Sequence, residues 1–474
     1  MEPLPLIING ERQPAERTLT VRSPWSGEVV GECGYAGSRE IAWALDSAFV
    51  GAGRMRALKN YQRADILHKA ADRIAAESES FARLIAMEGG KPIREARAEA
   101  LRAESTFRLA AEATRTWGGE LLPLDVTSAG GDRVALVRRF PLGMVTGISP
   151  FNFPLNLVAH KIAPALAAGC SINLKPASAT PLTALKLGEL LLNCGLPPGG
   201  CNVIPTPSSM AELLITDARV KLVTFTGSGA VGWDLMRKAS GKRVCLELGG
   251  NAAAIVEPDF DLDQARERIL VGGYAHTGQI CISVQHILLN RRIAEPFMER
   301  FVPMVATLKL GDPLDESTQV SALIDESEAK RVKEWMDEAV AAGAHLLCGG
   351  QREGNRVAPA ILTQVPSWCK ISAEEAFGPV TVVTVYDKFE QALDIVNSWK
   401  FGLQTGVFTN DLTKAMLAFS RLDVGGVIIG DIPTFRVDNY PYGGLKQSGF
   451  GREGVRYAME EMSELKTLVL PAPR

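Results

Sequence analysis

Two residues able to do covalent chemistry stand in loops tight enough to need glycine. Cys281 lies in Gly278-Gln279-Ile280-Cys281-Ile282-Ser283, and Glu247 lies upstream in Leu246-Glu247-Leu248-Gly249-Gly250. A thiolate adds readily to a carbonyl carbon, and needs an electropositive or hydrogen-bonding setting to form near neutral pH. A carboxylate in an apolar setting is a base whose pKa can rise toward the working range. Just before them, Thr226-Gly227-Ser228-Gly229-Ala230-Val231-Gly232 follows a strand-like run and opens a helical one. Free N–H groups at such a helix start favour phosphate. A thiol, a base and a dinucleotide site together imply oxidation of an aldehyde through a thioester. The G-x-G-x-x-G string alone is weak support, since no acidic residue follows at the ordinary Rossmann spacing.

Addition of the thiolate turns a carbonyl oxygen into an anion. Asn152, in Pro150-Phe151-Asn152-Phe153-Pro154, is the candidate donor to that oxygen, together with the backbone N–H of Cys281. Lys175 and Ser178 flank Pro176-Ala177 just after a strand end, where doubly wound sheets bind ligands. His276 raises a different reading, a Cys-His dyad in a cysteine hydrolase or thioesterase. Such an enzyme would not need Lys175, Ser228 or Glu375. A catalytically silent binding protein is the other alternative, and the joint presence of Cys281, Asn152 and Glu247 argues against it.

Three segments resemble the signatures of the aldehyde dehydrogenase superfamily, in the same order: Glu247-Leu248-Gly249-Gly250, Gly278-Gln279-Ile280-Cys281 and Glu375-Ala376-Phe377-Gly378-Pro379. Pro150 to Pro154, Leu174-Lys175-Pro176, Phe225-Thr226-Gly227-Ser228 and Gly443-Gly444-Leu445-Lys446-Gln447-Ser448-Gly449 match as well, so the resemblance runs from about Ile8 to Leu470. It implies NAD(P)-dependent oxidation of an aldehyde to its acid. It places the pyrophosphate near Gly227 and Ser228, the adenosine ribose at Lys175, the nicotinamide ribose at Glu375 and the ring near Phe377. Ile148, Pro150, Phe151 and Leu248 join the cofactor site on the same ground.

Where NAD-preferring members often carry a glutamate, this chain has Ser178. A serine removes repulsion toward a 2′-phosphate, which favours NADP slightly over NAD. Relatives that pass the acyl group to coenzyme A typically lack the glutamate found here as Glu247, so release of a free acid is expected. The family needs no histidine base, so His276 is expected to pack its loop. Phe151 replaces a commoner tryptophan and Ser283 a commoner alanine, departures that bear on pocket shape. The segments Phe435 to Gly444 and Glu453 to Met462 look most like the branch containing lactaldehyde and non-phosphorylating glyceraldehyde-3-phosphate dehydrogenases. Arg108, Arg436 and Phe153 are the residues expected to face the substrate. Guanidinium groups suit a hydroxyl, carboxylate or phosphate near the aldehyde, so small polar aldehydes are favoured.

These side chains need a scaffold. Helical patterns fill Ser38 to Trp117, and strand-like and helical runs then alternate, as in βαβ units around a parallel sheet. A second series of the same kind follows Glu247. The expected fold is α/β, with two doubly wound parallel-sheet domains and a protruding β oligomerisation arm. The boundaries read as 1–118 and 140–248 for the dinucleotide-binding domain, 249–450 for the catalytic domain, and 119–139 with 451–474 for the arm. The arm implies a homodimer or homotetramer.

The chain has 474 residues, 46% of them hydrophobic and 22% charged, with a net charge of −3. That is an ordinary globular composition with no reason to expect nucleic acid as a partner. Phe140 to Ala159 is uncharged and long enough to span a bilayer, but its prolines, glycines and asparagines read as a buried strand and loop entering a site. No secretory signal is visible at the start, and no membrane association is expected. The eight cysteines form no C-x-x-C pair and have no histidine cluster beside them. Reduced thiols in a cytoplasmic enzyme are expected, with no metal site.

Overall fold

The computed structural model describes residues 2–471. One sheet carries, in spatial order, Glu11–Gln13, Leu6–Ile8, Cys201–Val203, Ser171–Lys175, Met144–Ile148, Val220–Thr226, Arg243–Glu247 and Gly449–Phe450. The five strands from Cys201–Val203 to Arg243–Glu247 are parallel. The second sheet runs His345–Cys348, Ala360–Thr363, Val380–Tyr386, His286–Asn290, Ala253–Val256, Gln404–Phe408 and Gly426–Ile429, parallel except at its first strand. Inner strands such as Ser171–Lys175 and Ala253–Val256 are buried at every residue. Helices cover both faces of such a sheet, which is why Ala253–Val256 reads as a continuous apolar run.

Strand order dictates where ligands go. Met144–Ile148 is followed by its neighbour Ser171–Lys175 on one side, and later by Val220–Thr226 on the other. That reversal opens a crevice at the carboxyl ends of Met144–Ile148 and Val220–Thr226. Pro150 to Asn152 leave the first of these ends, and Gly227 and Ser228 the second. Glu247 stands beside Thr226 in register on the next strand. The second sheet offers its opposite ends. Arg243–Glu247 passes through a short loop directly into Ala253–Val256, so a carboxyl end adjoins an amino end. Cys281 precedes strand His286–Asn290, and Glu375 precedes strand Val380–Tyr386.

Helix Asn156–Ala168, buried at every residue, anchors the Phe151–Asn152 turn from below. Its first N–H groups find a partner on another helix. Glu99, on Ile93–Arg115, accepts from the N–H of Leu155 (2.9 Å) and of Asn156 (3.1 Å), while its second oxygen pairs with buried Lys91. A carboxylate at a helix start satisfies orphan donors and meets the positive end of the dipole.

Strands Gly119–Pro123, Val134–Pro141 and Ser463–Leu470 form the expected arm, with Leu136 opposite both Leu121 and Leu468. Its faces expose Leu121, Leu465, Leu468 and Val469. Two boundaries differ from the sequence reading. Gly449–Phe450 pairs with Arg243–Glu247 and so completes the first sheet, not the second domain. Helix Val455–Glu461 packs into the first domain's core through Val455 and Met459, so the arm resumes at Ser463, not at 451. The apolar side chains of that helix fit the groove beside Asn156–Ala168 and Ile93–Arg115, which a charged-looking sequence had concealed. Residues 472–474 of the expected arm lie outside the described residues. The uncharged stretch 140–159 forms a strand end, the buried strand Met144–Ile148, a loop and a helix start. Among the described residues no helix is long and apolar enough to cross a membrane.

Removing Glu99 would leave Lys91 charged, buried and unpaired, and would free two helix N–H groups. Glu99→Ala is expected to cost about 3–5 kcal/mol of unfolding free energy, read as a fall in the denaturation midpoint. Glu79→Ala, which removes an exposed partner of Arg97 and Arg83, should move that midpoint little.

Candidate active site

The thiol loop is held in an unusual backbone path. His276, Thr277 and Gly278 all have positive φ, at 47°, 60° and 73°. Left-handed residues without glycine persist only where surroundings over-determine them. Here the backbone N–H of His276 donates to Glu95 (2.6 Å), Thr277 Oγ1 accepts from the N–H of Ser321 (3.0 Å), and Gln279 Oε1 accepts from the N–H of Ile324 (2.9 Å). A Cβ on Gly278 would collide with the carbonyl of Gly378, so two of the sequence motifs meet backbone to backbone.

Cys281 thus sits half-buried at the end of this loop. Burial pushes its thiol up to about 11, and Tyr442 and Arg436 oppose that rise. Its hydrogen-bond partner is the Tyr442 hydroxyl, 3.0 Å from Sγ. Asn152 Nδ2 donates to the carbonyl of Gln279 (2.8 Å), two residues before the thiol. An amide nitrogen has two hydrogens, so one orients the group and the other remains for a ligand oxygen.

Glu247 is 3% exposed, and neither of its carboxylate oxygens has a protein hydrogen-bond partner. Burial, then repulsion from Glu453, holds its pKa well above the usual carboxylate range. Glu453 takes the nearby cations. Its Oε1 accepts from Lys161 (3.2 Å) and Thr226 (3.3 Å), and its Oε2 from Arg436 (3.1 Å). Burial would raise Glu453, but Lys161 and Arg436 overcome it and hold the carboxyl low. A Cβ at Gly443 would lie 2.9 Å from Glu247 Oε1, so adjacent residues 442 and 443 touch the thiol and approach the carboxylate.

The expected cofactor residues line the other side. Ser228 caps helix Gly229–Lys238 with extended backbone, and Gly229 has open space where a Cβ would be, room for a phosphate to approach. Gly232 lies against Leu248, and Gly227 donates its N–H to the carbonyl of Glu247 (3.0 Å). Ile148 pairs with Lys175 at the strand ends, Pro150 follows it, and Phe151 meets Phe377 edge to face at 5.9 Å. Lys175 is buried with no carboxylate beside it, and burial draws its pKa down to about 8. Ser178 bonds the Tyr35 hydroxyl at 3.0 Å. Glu375 accepts from the N–H of Gly250 (3.2 Å), and burial lifts it to about 7. Gln285 grips the loop before it, donating to the carbonyls of Ile371 and Glu374 and accepting from the N–H of Ala376. An open helix start, an unpaired buried ammonium and a carboxylate with a free oxygen fit a dinucleotide.

Of the three residues expected to face the substrate, Arg436 stacks 3.7 Å over the Tyr442 ring. Phe153 lies under Lys91 Nζ (3.5 Å) and edge-on to His276 (6.2 Å). Arg108 does not join them. Its guanidinium, 40% exposed, pairs with Asp72 (3.0 Å) and Glu104 (2.5 Å) at the surface. Arg102, earlier on the same helix, is the arginine that reaches inward, to Asp438 at 2.7 Å. It lies one turn from buried Glu99 and Thr106, on the side of the helix turned to the core. His276 has both ring nitrogens buried and unpartnered, and burial with Lys91 nearby drives its pKa well down. It packs on Phe153, while the thiol's partner is Tyr442, so the Cys-His dyad loses its geometric basis. Lys161, Tyr442 and Glu453 went unassigned from sequence. Lys161 was detectable as the one ammonium in a helix whose other residues, apart from Asn156 and His160, are apolar.

A thiol loop, a buried carboxyl and a phosphate-ready helix start meet at this junction of two α/β sheets, the parts that a thiol-dependent dehydrogenase would need. The chain matches the aldehyde dehydrogenase family over residues 11–468 and belongs to it. It is an NAD(P)-dependent aldehyde dehydrogenase. A 3-sulfolactaldehyde dehydrogenase of Priestia aryabhattai is 40% identical, with 98% of this chain and 97% of the relative covered. The structure of aldehyde dehydrogenase 21 from Physcomitrella patens, in complex with the reaction product succinate, matches with a TM-score of 0.97 at 42% identity, covering 99% of each chain. A glyceraldehyde-3-phosphate dehydrogenase of Methanocaldococcus jannaschii, complexed with NADP, matches with a TM-score of 0.92 at 38% identity, covering 96% of this chain and 99% of that one.

Gly249 tests the cofactor side of the site. A Cβ there would overlap the Glu375 carboxylate, the far end of a flexible side chain. Gly249→Ala should therefore fold normally, with Tm within a few degrees of wild type. Its NADP affinity should fall about tenfold, roughly 1.4 kcal/mol, in a fluorescence titration. A large loss of Tm with unchanged affinity would show that the carboxylate has no part in holding the cofactor.

Proposed function

We propose that this enzyme oxidises a small aldehyde bearing a second, anionic group, with NADP favoured over NAD, and releases a free acid. The observation that carries the substrate class is Arg436. Its side chain is 8% exposed, one aromatic ring from the thiol; Glu453 pairs with its Nη2, and its Nε–H makes no hydrogen bond, Asp438 Oδ1 lying 4.0 Å away. An unpartnered buried guanidinium N–H calls for an acceptor oxygen, and a carboxylate, sulfonate or phosphate supplies one. The relatives named above support this, since sulfolactaldehyde, succinate and glyceraldehyde-3-phosphate each carry such a group. NADP is supported by Ser178, which puts no carboxylate beside a 2′-phosphate, and by the NADP complex of one relative.

Cys281 adds to the aldehyde carbon, and the new alkoxide is held by the Asn152 amide and the Cys281 backbone N–H. A nicotinamide held by Glu375 and Phe377 would supply the hydride acceptor for that carbon. A thioester remains on Sγ. Glu247 takes a proton from the attacking water, the C–S bond breaks, and carboxylic acid and thiolate separate. For each aldehyde and water consumed, one acid and one reduced cofactor form. Apolar side chains exposed on the three-stranded arm support a homodimer or homotetramer. Eight unpaired cysteines support a reducing, cytoplasmic setting.

Because Glu247 starts from a raised pKa, raising the pH converts more of it to base. The steady rate should climb with pH through the neutral range. Glu247→Gln should keep a single-turnover burst of reduced cofactor while steady turnover falls at least a hundredfold and loses that climb. Product formation that depends on added coenzyme A would overturn hydrolysis.

For substrate class, kcat/KM should favour succinic semialdehyde, glyceraldehyde-3-phosphate and 3-sulfolactaldehyde over hexanal and benzaldehyde by tenfold or more. Ser178→Glu should move preference toward NAD. A clear win for hexanal, or a wild type blind to millimolar NADP, would sink the corresponding half of the reading.

A further inference from the structure

One hydroxyl touches the sulfur of Cys281, and nothing in the reaction scheme above uses it. Tyr442 is 2% exposed and holds its O–H 3.0 Å from Sγ. Its ring cannot swing away. The backbone of Tyr442 exchanges two hydrogen bonds with Glu453, N–H to carbonyl at 3.0 Å and the reverse at 2.7 Å. Arg436 covers the ring at 3.7 Å and is itself tied to the Glu453 carboxylate. Leu403 and Ile282 pack around the pair.

A phenol is a strong donor and a thiolate only accepts, so a charged sulfur at this distance fixes the direction of the bond. Bonds to a charged acceptor are about twice as strong as neutral ones. A cation over the ring makes the phenolic hydrogen more positive. No histidine or lysine bonds the sulfur, and burial opposes its ionisation. We infer that Tyr442 is a catalytic residue: its O–H donates a hydrogen bond to the Cys281 thiolate, which favours loss of the thiol proton to solvent water and steadies the sulfur when it leaves the thioester. The proton stays on the tyrosine oxygen throughout. This rests on Cys281 being the nucleophile.

The test is the rate of Cys281 alkylation by iodoacetamide in the full chain across pH 6–12, a range that reaches above the raised thiol pKa, read by mass spectrometry on the Cys281 peptide, with Cys281→Ala as background. In Tyr442→Phe the rate below the thiol midpoint should fall about tenfold, the midpoint rising by about one pH unit, while NADP affinity holds. A hydroxyl that merely filled space would change KM without moving the pH profile. Replacing Tyr442 with 3-fluorotyrosine, a near-isosteric and stronger donor, should shift the midpoint the other way and keeps the test open should the phenylalanine variant misfold. An unmoved midpoint in the folded variants overturns the assignment. Retention of oxidation by Cys281→Ala would instead remove the nucleophile reading beneath it.

Discussion

Compensation of charge inside the protein decides what this site can do. Lys161, Arg436, Arg102 and His160 are set against Glu453 and Asp438. Leaving one buried partner unpaired costs several kcal/mol, so the cluster is mutually constrained. Its cations are spent on Glu453 and Asp438. Glu247 stands beside the cluster with no hydrogen bond from it, and burial, with repulsion from Glu453, raises its pKa. Were Lys161 to bond Glu247 in place of Glu453, the carboxylate would be stabilised as an anion and weakened as a base.

The same cluster fixes the thiol's surroundings. Glu453 lies just after Gly449–Phe450, the strand that closes the first sheet against Glu247. It pairs with Tyr442 through the backbone and with Arg436 through its carboxylate. Moving Glu453 would therefore disturb the stacked guanidinium, the ring below it and the hydroxyl on the sulfur. The C-terminal segment joins the first sheet, where its helix packs, to the second domain's thiol loop. This is the physical reason that the domain boundary drawn at 450 cuts through one working unit.

Local patterns in the sequence carried the fold a long way. Val380–Tyr386 and the alternating runs from Met144 to Glu247 were legible because strands buried on both faces are continuously apolar. The thiol, the base and the helix start were legible because their glycines are demanded by close approach: Gly278 against Gly378, Gly249 against Glu375, Gly232 against Leu248. What escaped is what only three-dimensional pairing decides. Arg108 and Arg102 lie on one charged helix, and the choice between them rests on Asp438, hundreds of residues away. Tyr442 is an ordinary aromatic beside two glycines until Cys281 is placed against it. Helix Val455–Glu461 carries only a few apolar residues, and its docking depends on a groove made by two other helices.

Polar atoms left without partners are informative because folding otherwise avoids them. Among the described residues several belong to this junction: Ser149, Asn152, Glu247, Asn251, His276 and Arg436 each contribute at least one, while others such as Arg63, Trp233 and Arg266 lie elsewhere. A protein selected for stability alone would have capped or replaced them. Asn152 Oδ1 and the two Glu247 oxygens are acceptors, and Arg436 Nε is a cationic donor. A carbonyl oxygen, a water and an anionic tail can satisfy groups of both kinds, whereas a long alkyl chain can satisfy none. The unmet hydrogen bonds thus accord with the polar aldehyde proposed above.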